Sequence, residues 1–343
     1  MVRILLFPGL RADKLFSMLR YVNAGELGFV RLRRGRGYAY LDPHGAAVQD
    51  AATKRRLAAL AVPPAWKDVW LCADPHGHIQ ATGRDHRGRK QYIYHPAWRA
   101  RQERSKFEQL RGFAEALPAV RRQVDRDLRA GMPGERAVLA AAVKLLDLSG
   151  IRVGNKSYFD ANGTVGLTTL QDRNTDIEGG HIELRFKAKS GRRVDTSVED
   201  RRLANLLLRC EELPGQRLFR YRSGDTVSEL DSTQLNSYLR EAAGCDVSAK
   251  DFRTWIATVT VVELWVERRS SLSIKDAAAA ASKRLENTAA VVRRSYIHPG
   301  ILELAIGRAP SDAERQTARR GRVRLSGAEA LCARLLRTAR SGV

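Results

Sequence analysis

At 343 residues and 43% hydrophobic content the chain is long for a single core, and two domains are the natural reading. The 60 Lys and Arg outnumber the 38 Asp and Glu, leaving a formal charge of +22 in which arginine dominates; its permanent charge and fork geometry suit phosphate, so nucleic acid is expected as the partner rather than a membrane surface. No apolar run reaches the roughly 18 residues that span a bilayer, Met1 to Leu10 has no small-residue cleavage site, and Cys72, Cys210, Cys245 and Cys332 show no CxxC spacing, which argues for a reduced cytoplasmic protein without structural zinc.

Met1 to about Val22 have weak periodicity and read as an extension without assigned function. From Phe29 a β pattern begins: Tyr38 to Leu41 alternates, Asp42-Pro43-His44-Gly45 is a turn, Asp50 caps a short helix ending near Leu60, and strands follow at Val69 to Cys72, Ile79 to Thr82 and Gln91 to Tyr94. The last of these emerges from a basic loop, Arg84 to Lys90. This β-rich domain is expected to occupy residues 1–97, and a helical domain residues 98–343.

The second domain opens with Phe107, Leu110, Ala114 and Leu117 at helical spacing, then Val120, Val124 and Leu128 beyond an expected kink at Pro118. A helix over about Glu135 to Leu148 leads into Gly150-Ile151-Arg152-Val153-Gly154-Asn155. Three β runs come next, at Val165 to Leu170, Ile182 to Phe186 and Arg193 to Val198, the last two flanking a hairpin tip at Lys187 to Gly191. Further helices are expected at about Glu199 to Cys210, Thr233 to Ala243, Arg253 to Val266, Ser273 to Glu286 and Ala289 to Ile297, the last stopped by Pro299-Gly300. The segment Arg308 to Val343, with nine arginines against three acids, reads as a basic tail. The fold class is therefore α+β: a small β-rich domain plus a mostly α-helical one carrying a small three-stranded antiparallel sheet.

Chemistry concentrates at Ser282 to Glu303, where Tyr296 follows Arg293 and Arg294. A phenol, with a reference pKa of about 10, needs cations or a base nearby to act as a nucleophile. Attack on a phosphodiester by a side-chain hydroxyl further needs cations on the non-bridging oxygens and an acid for the leaving alkoxide. With no paired-carboxylate motif and histidines mostly in turns, arginine and lysine have to supply both. Arg152 between glycines, Lys189 on the hairpin and Arg253 after Lys250-Asp251 stand out by position, although each alone reads first as a solvated surface charge.

Six segments in order, GRDHRGRKQYIYH (Gly83 to His95), IRVGNKSY (Ile151 to Tyr158), GLTTL (Gly166 to Leu170), FKAKSG (Phe186 to Gly191), KDFRTW (Lys250 to Trp255) and ENTAAVVRRSYIHP (Glu286 to Pro299), make the chain resemble type IB DNA topoisomerases of the compact bacterial and viral branch, from roughly Leu19 to Arg308. The resemblance implies that Tyr296 forms a 3′-phosphotyrosyl link, that Arg152 and Arg253 hold the scissile phosphate, and that Lys189 protonates the departing 5′ oxygen. Lys250 would aid proton transfer or contact phosphate. Asn287 stands where viral and eukaryotic enzymes carry histidine, and the bacterial branch is alike in having asparagine. The first domain would be a lid that closes a clamp around double-stranded DNA, with Arg89, Lys90, Gln91, Tyr92 and Tyr94 at the major groove, while Asn155, Lys156 and Tyr158 contact the backbone. For Tyr92 and Tyr94, packing on the domain core fits the same spacing. The implied enzyme is a nucleoid-associated monomer that needs neither ATP nor an obligatory metal, magnesium at most stimulating turnover. Two alternatives stay open from sequence: a tyrosine recombinase, which shares the chemistry but typically shows HxxR where this chain has Lys250 to Arg253, and a non-catalytic DNA-compacting protein.

Overall fold

The structure, a computed structural model, describes residues 18–338, apart from the side chains of 158, 161, 162 and 190. The chain divides into two compact units, one up to Ser105 and one from Lys106 onward.

The first unit is built on a five-stranded antiparallel sheet, β1 (Gly28–Arg34), β2 (Gly37–Leu41), β3 (Lys67–Cys72), β4 (Ile79–Arg84) and β5 (Lys90–Tyr94), in the order β2-β1-β3-β4-β5. Helix α1 (Ala51–Ala59) is capped by Asp50, whose carboxylate accepts from the Thr53 amide. Leu57 from α1 joins Val69, Leu71 and Ala81 in a small core, with Phe29, Tyr40, Trp66 and Ile93 packed around it. Arg31 is buried on this side, donating to the carbonyls of Val62, Pro63 and Trp66 and lying 4.2 Å from the Tyr38 ring centroid. Arg31, just ahead of the basic run Arg33 to Arg36, therefore fastens a loop. Residues just after 17 belong to the unit as well: Arg20 bridges to Gly77, the Val22 amide donates to His78 Nδ1, and Tyr21 packs on His78 and Trp98. The expected extension is thus corrected for 18–22, and its earlier part lies outside the described residues.

The long helix α2 (Pro96–Asp127) crosses the division at residue 105 and runs through Pro118, whose missing N–H costs one helical hydrogen bond. Burial of Leu110, Phe113, Leu117, Val120 and Val124 along one stripe compensates. The second unit continues with α3 (Glu135–Ser149), short α4 (Lys156–Asn162), the sheet β6 (Thr175–Glu178), β7 (His181–Lys187) and β8 (Arg193–Glu199), α5 (Arg201–Glu211), a hairpin β9 (Arg220–Ser223) and β10 (Thr226–Glu229), and then helices α6 (Ser232–Ala243), α7 (Ala249–Arg268), α8 (Ile274–Leu285), α9 (Ala289–Ser295), α10 (Pro299–Gly307), α11 (Asp312–Arg320) and α12 (Gly327–Thr338). The α+β class and the three-stranded antiparallel sheet are as expected, with one exchanged strand: Thr175–Glu178 takes the place expected for Val165 to Leu170. Gly166 to Leu170 instead forms a 3-10 turn whose amides bond back to Arg152 and Val153.

Two C-terminal expectations also change. Pro299 does not stop a helix but starts one, at the position where a missing N–H costs nothing. The supposed tail from Arg308 is folded through residue 338: α12 buries Leu331, Cys332 and Leu335 in the core. There Glu329 receives Arg121 and the Trp255 indole N–H, while Arg121 also grips Asp147. This network ties α2, α3, α7 and α12 together.

Candidate active site

Arg152 is held by backbone that only glycine permits. Helix α3 ends with Gly150 in the left-handed region (φ 66°), and Gly154 (φ 81°) lies so close to Gly166 that a Cβ on Gly166 would meet the Gly154 Cα at 2.6 Å. That approach lets the Leu167 amide bond Arg152 O at 2.7 Å and the Thr168 amide bond Val153 O at 2.8 Å. Two of the sequence segments are thus one paired structure. The Arg152 guanidinium, half-buried, donates to Asn287 Oδ1 at 2.6 Å.

Arg253 sits in the second turn of α7, whose N-terminus is a capping box of Ser248 and Asp251. It is 5% exposed, donating to the carbonyls of Gly150 and Leu285, with its Nε buried and unmatched. Burial lowers its pKa and the neighbouring Arg152 charge adds to this, while Tyr296 and Glu286 oppose; an arginine nevertheless remains charged near neutrality. Neither Arg152 nor Arg253 forms an ion pair among the described residues. Two cations are therefore held side by side by neutral oxygens.

Tyr296 ends α9 as its C-cap, out of helical conformation (φ −133°, ψ −27°), with the Thr288 hydroxyl capping the other end. The Arg253 guanidinium lies 5.1 Å from the tyrosine ring centroid and Lys106 Nζ 4.9 Å from it. Lys106 also donates to the Ser295 carbonyl. On the other side Thr258 Oγ1 lies 3.3 Å from the Tyr296 carbonyl and accepts the His298 amide at 3.1 Å. The His298 ring is buried against Phe107, and burial pulls its pKa down to about 4. Asn287, 8% exposed, has its Nδ2 buried without a hydrogen-bond partner, a donor still to be matched.

Four of the five expected catalytic side chains, Arg152, Arg253, Asn287 and Tyr296, thus form one cluster. Lys189 is exposed on the short turn Lys189–Gly191 between β7 and β8, closed by Ala188 N to Arg192 O. The hairpin nevertheless borders the cluster, since Phe186, Ala188 and Val194 line a small cleft with Arg152, Arg253 and Glu286. Lys250 is exposed in the first turn of α7, and Asn155 caps α4 through the Ser157 amide, leaving Lys156 exposed beside it; the Tyr158 side chain lies outside the described residues. In the first unit Lys90, Tyr92 and Tyr94 share one face of β5, the rings stacked 5.9 Å apart and Tyr92 41% exposed, while Ile93 faces the core. Neither tyrosine belongs to that core cluster, although Tyr94 is half-buried. Arg89 and Gln91 both donate to Asp85, and the Arg89 bond holds the Asp85 carboxyl down to about 2. Lys106, Glu286 and His298 were not singled out by sequence; the last two lie inside a quoted segment, and Lys106 meets its partner 189 positions away.

The family described as eukaryotic DNA topoisomerase I, catalytic core, matches residues 95–295, and the bacterial DNA topoisomerase IB N-terminal domain matches residues 37–85. The chain belongs to the type IB DNA topoisomerases. Its relatives include the DNA topoisomerase 1B of Acanthamoeba polyphaga mimivirus, 29% identical over 284 residues covering 78% of this chain and 83% of the viral protein. DNA topoisomerase 1 of Daucus carota and DNA topoisomerase 1 alpha of Arabidopsis thaliana are each 27% identical over 47% of this chain, which spans only 20% and 17% of those proteins. As a type IB topoisomerase the protein is an isomerase that acts on DNA, and membership sets aside the recombinase and DNA-compacting alternatives. The catalytic-core match stops one residue short of Tyr296. In this topoisomerase the case for that tyrosine therefore rests on the cations around it. No helix among the described residues is long and apolar enough to cross a membrane.

Proposed function

We propose that Tyr296 Oη attacks a phosphodiester of one strand of duplex DNA. An O–P bond to the 3′ phosphate forms, the P–O5′ bond breaks, the phenol loses its proton to solvent, and Lys189 gives one to the leaving 5′ oxygen. Swivelling of the free end relaxes positive and negative supercoils, and the reverse attack religates. The tyrosyl ester retains the phosphodiester energy, so no ATP is consumed. Arg152, Arg253 and the unmatched Asn287 Nδ2 neutralise the non-bridging oxygens, a task that metals perform elsewhere, so magnesium acts only on turnover. One chain supplies all five groups, and the enzyme works as a monomer associated with the nucleoid. Arg89, Lys90, Gln91, Tyr92 and Tyr94 serve as the lid's DNA contacts, and Asn155, Lys156, Tyr158 and Lys250 meet the backbone.

The observation that carries this reading is the Arg253 guanidinium beside the Tyr296 ring, next to an arginine already aligned by Asn287. Supercoiled plasmid incubated with EDTA and without ATP should be fully relaxed, and Tyr296→Phe should abolish relaxation while still binding DNA. Loss of activity in EDTA would overturn the metal-free part, and residual covalent adduct in Tyr296→Phe would overturn the nucleophile. For the lid, Lys90→Ala should reduce the slope of log K against log[salt] by about 0.9, one phosphate contact.

A further inference from the structure

Glu286 is an acid inside the site to which the reaction above gives no task. It caps α8 in the left-handed region, φ 48°, a conformation disfavoured for a residue with a Cβ. From there it reaches the hairpin twice: Arg192 donates to the Glu286 carbonyl at 3.4 Å, and the Asp195 amide donates to Oε1 at 3.3 Å. Its side chain lines the cleft shared by Arg152, Arg253, Phe186 and Ala188, with Oε2 buried and unmatched. Burial raises the Glu286 pKa, with the Asp195 charge adding and the two arginines opposing. The next residue, Asn287, receives Arg152. Strained Glu286 and its neighbour Asn287 thus touch the hairpin on one side and the arginine pair on the other.

We propose that Glu286 is a positioning residue for Lys189, fixing the hairpin against the arginine pair so that the ammonium group meets the leaving 5′ oxygen. This rests on the reading of Lys189 as the general acid. A long, exposed lysine side chain loses rotamer freedom when it is aimed, and a general acid acts only within hydrogen-bond reach of the oxygen it protonates. Two bonds to a single residue, from Arg192 beside the turn and from Asp195 on β8, set the direction from which Lys189 starts. A strained residue persists where surrounding structure over-determines it, and here both of its outward bonds go to the hairpin.

The test is single-turnover cleavage of a duplex whose scissile 5′ bridging atom is oxygen or sulfur, since a thiolate leaves without a proton. Glu286→Ala should cut the oxygen substrate more slowly by about 10- to 100-fold, the range that misplacement by about 1 Å produces. It should cut the sulfur substrate near the wild-type rate and bind DNA as before. Glu286→Gln, which keeps the Oε1 acceptor, should stay within a few-fold of wild type, and Glu286→Ala combined with Lys189→Ala should be no slower than Lys189→Ala. If Glu286→Ala folds poorly, Arg192→Ala, which removes the other bond, should show a smaller defect that sulfur also rescues. Lys189→Ala rescued by sulfur while Glu286→Ala and Arg192→Ala stay slow would overturn the positioning role and leave Lys189 as the acid. Lys189→Ala that sulfur fails to rescue would overturn the acid itself, and the proposal with it.

Discussion

Two arginines of the second unit, Arg220 and Arg253, are buried almost equally, at 1% and 5% exposure, and are held in opposite ways. Arg220 donates from Nε to Leu213 O and from its terminal nitrogens to Glu211 O, Arg217 O and the Asp172 carboxylate, so each of its nitrogens is matched and its charge is paired. Arg253 has two carbonyls, an unmatched Nε, no carboxylate within ion-pair distance among the described residues, and a second arginine close enough to disfavour its charge, which Tyr296 and the Glu286 carboxyl of the same cleft only partly offset. Burying an unpaired cation is costly, and folding alone gives no reason to keep one. The first pocket is complete in the free protein. In the second the guanidinium keeps an open Nε and bonds no carboxylate directly, which suits it to the non-bridging oxygens of a phosphate. Net charge does not distinguish the two; compensation does.

The sharpest way to break this contrast is to remove each arginine and read both rate and stability. Arg253→Ala should slow single-turnover cleavage on the order of 10² to 10³-fold, as loss of a transition-state donor does, and Arg152→Ala should do likewise. Arg220→Ala should leave cleavage unchanged below its melting temperature but lower stability by about 3 kcal/mol, because it strands three carbonyls and Asp172. Urea unfolding should find Arg253→Ala the less destabilised of the two. Equal destabilisation, or a slow Arg220→Ala, would erase the distinction between a structural and a functional buried arginine.

Asn287 tests the same idea with a neutral donor. Its Oδ1 is engaged by Arg152 and its Nδ2 is unmatched, so it offers one uncharged hydrogen bond to a phosphate oxygen. A neutral bond is worth less than a charged one, and Asn287→Ala should slow cleavage by about 10-fold, less than either arginine variant. A loss equal to that of Arg152→Ala would mean that Asn287 acts mainly by aligning Arg152.

What the sequence made legible was local. Asp50 capped a helix as expected, the helix expected from Ser273 begins there with Ser273 as its cap, the hairpin between β7 and β8 followed its basic turn, and Tyr296 fell where a helix ends. What stayed hidden depends on distance or on backbone. The third strand, Thr175–Glu178, carries two acids and little hydrophobic signal, whereas Val165 to Leu170 looks like a strand but is diverted by the Gly154 and Gly166 approach. The nine arginines after residue 307 resemble a nucleic-acid tail until their acids are seen: Arg308 meets Glu314, and Arg324 meets Asp125, which lies 199 positions earlier. Lys106 beside Tyr296 is hidden for the same reason. Of the candidate site, the residue types were readable; whether a given cation was already compensated was not.

His298 supplies the smallest and most specific test, because it shows what the surroundings of Tyr296 do to a cation that can leave. Arg253 stays charged when buried because its reference pKa is far above neutrality; His298, starting near 6.5, gives up its proton instead and has a folded pKa of about 4. Between these two values the unfolded chain binds more protons than the folded one. Stability therefore rises with pH across that window, by at most about 1.4 kcal/mol per pH unit for one group. The contribution is fully present above about pH 6.5 and is lost as pH falls toward 4. Asp85 and Glu314, whose carboxyls are held down to about 2 by Arg89 and Arg308, lose their contributions at lower pH and do not confuse the range from 7 to 5. His298→Gln, which cannot take up a proton, should show a smaller drop in urea midpoint between pH 7 and pH 5 than the wild type, while its Arg220→Ala counterpart should show the same drop as wild type from a lower starting point. If His298→Gln and wild type lost stability in parallel over that range, the histidine would be titrating normally. The environment that leaves the Arg253 Nε open would then be wetter than its burial implies, and a phosphate would gain correspondingly less by binding there.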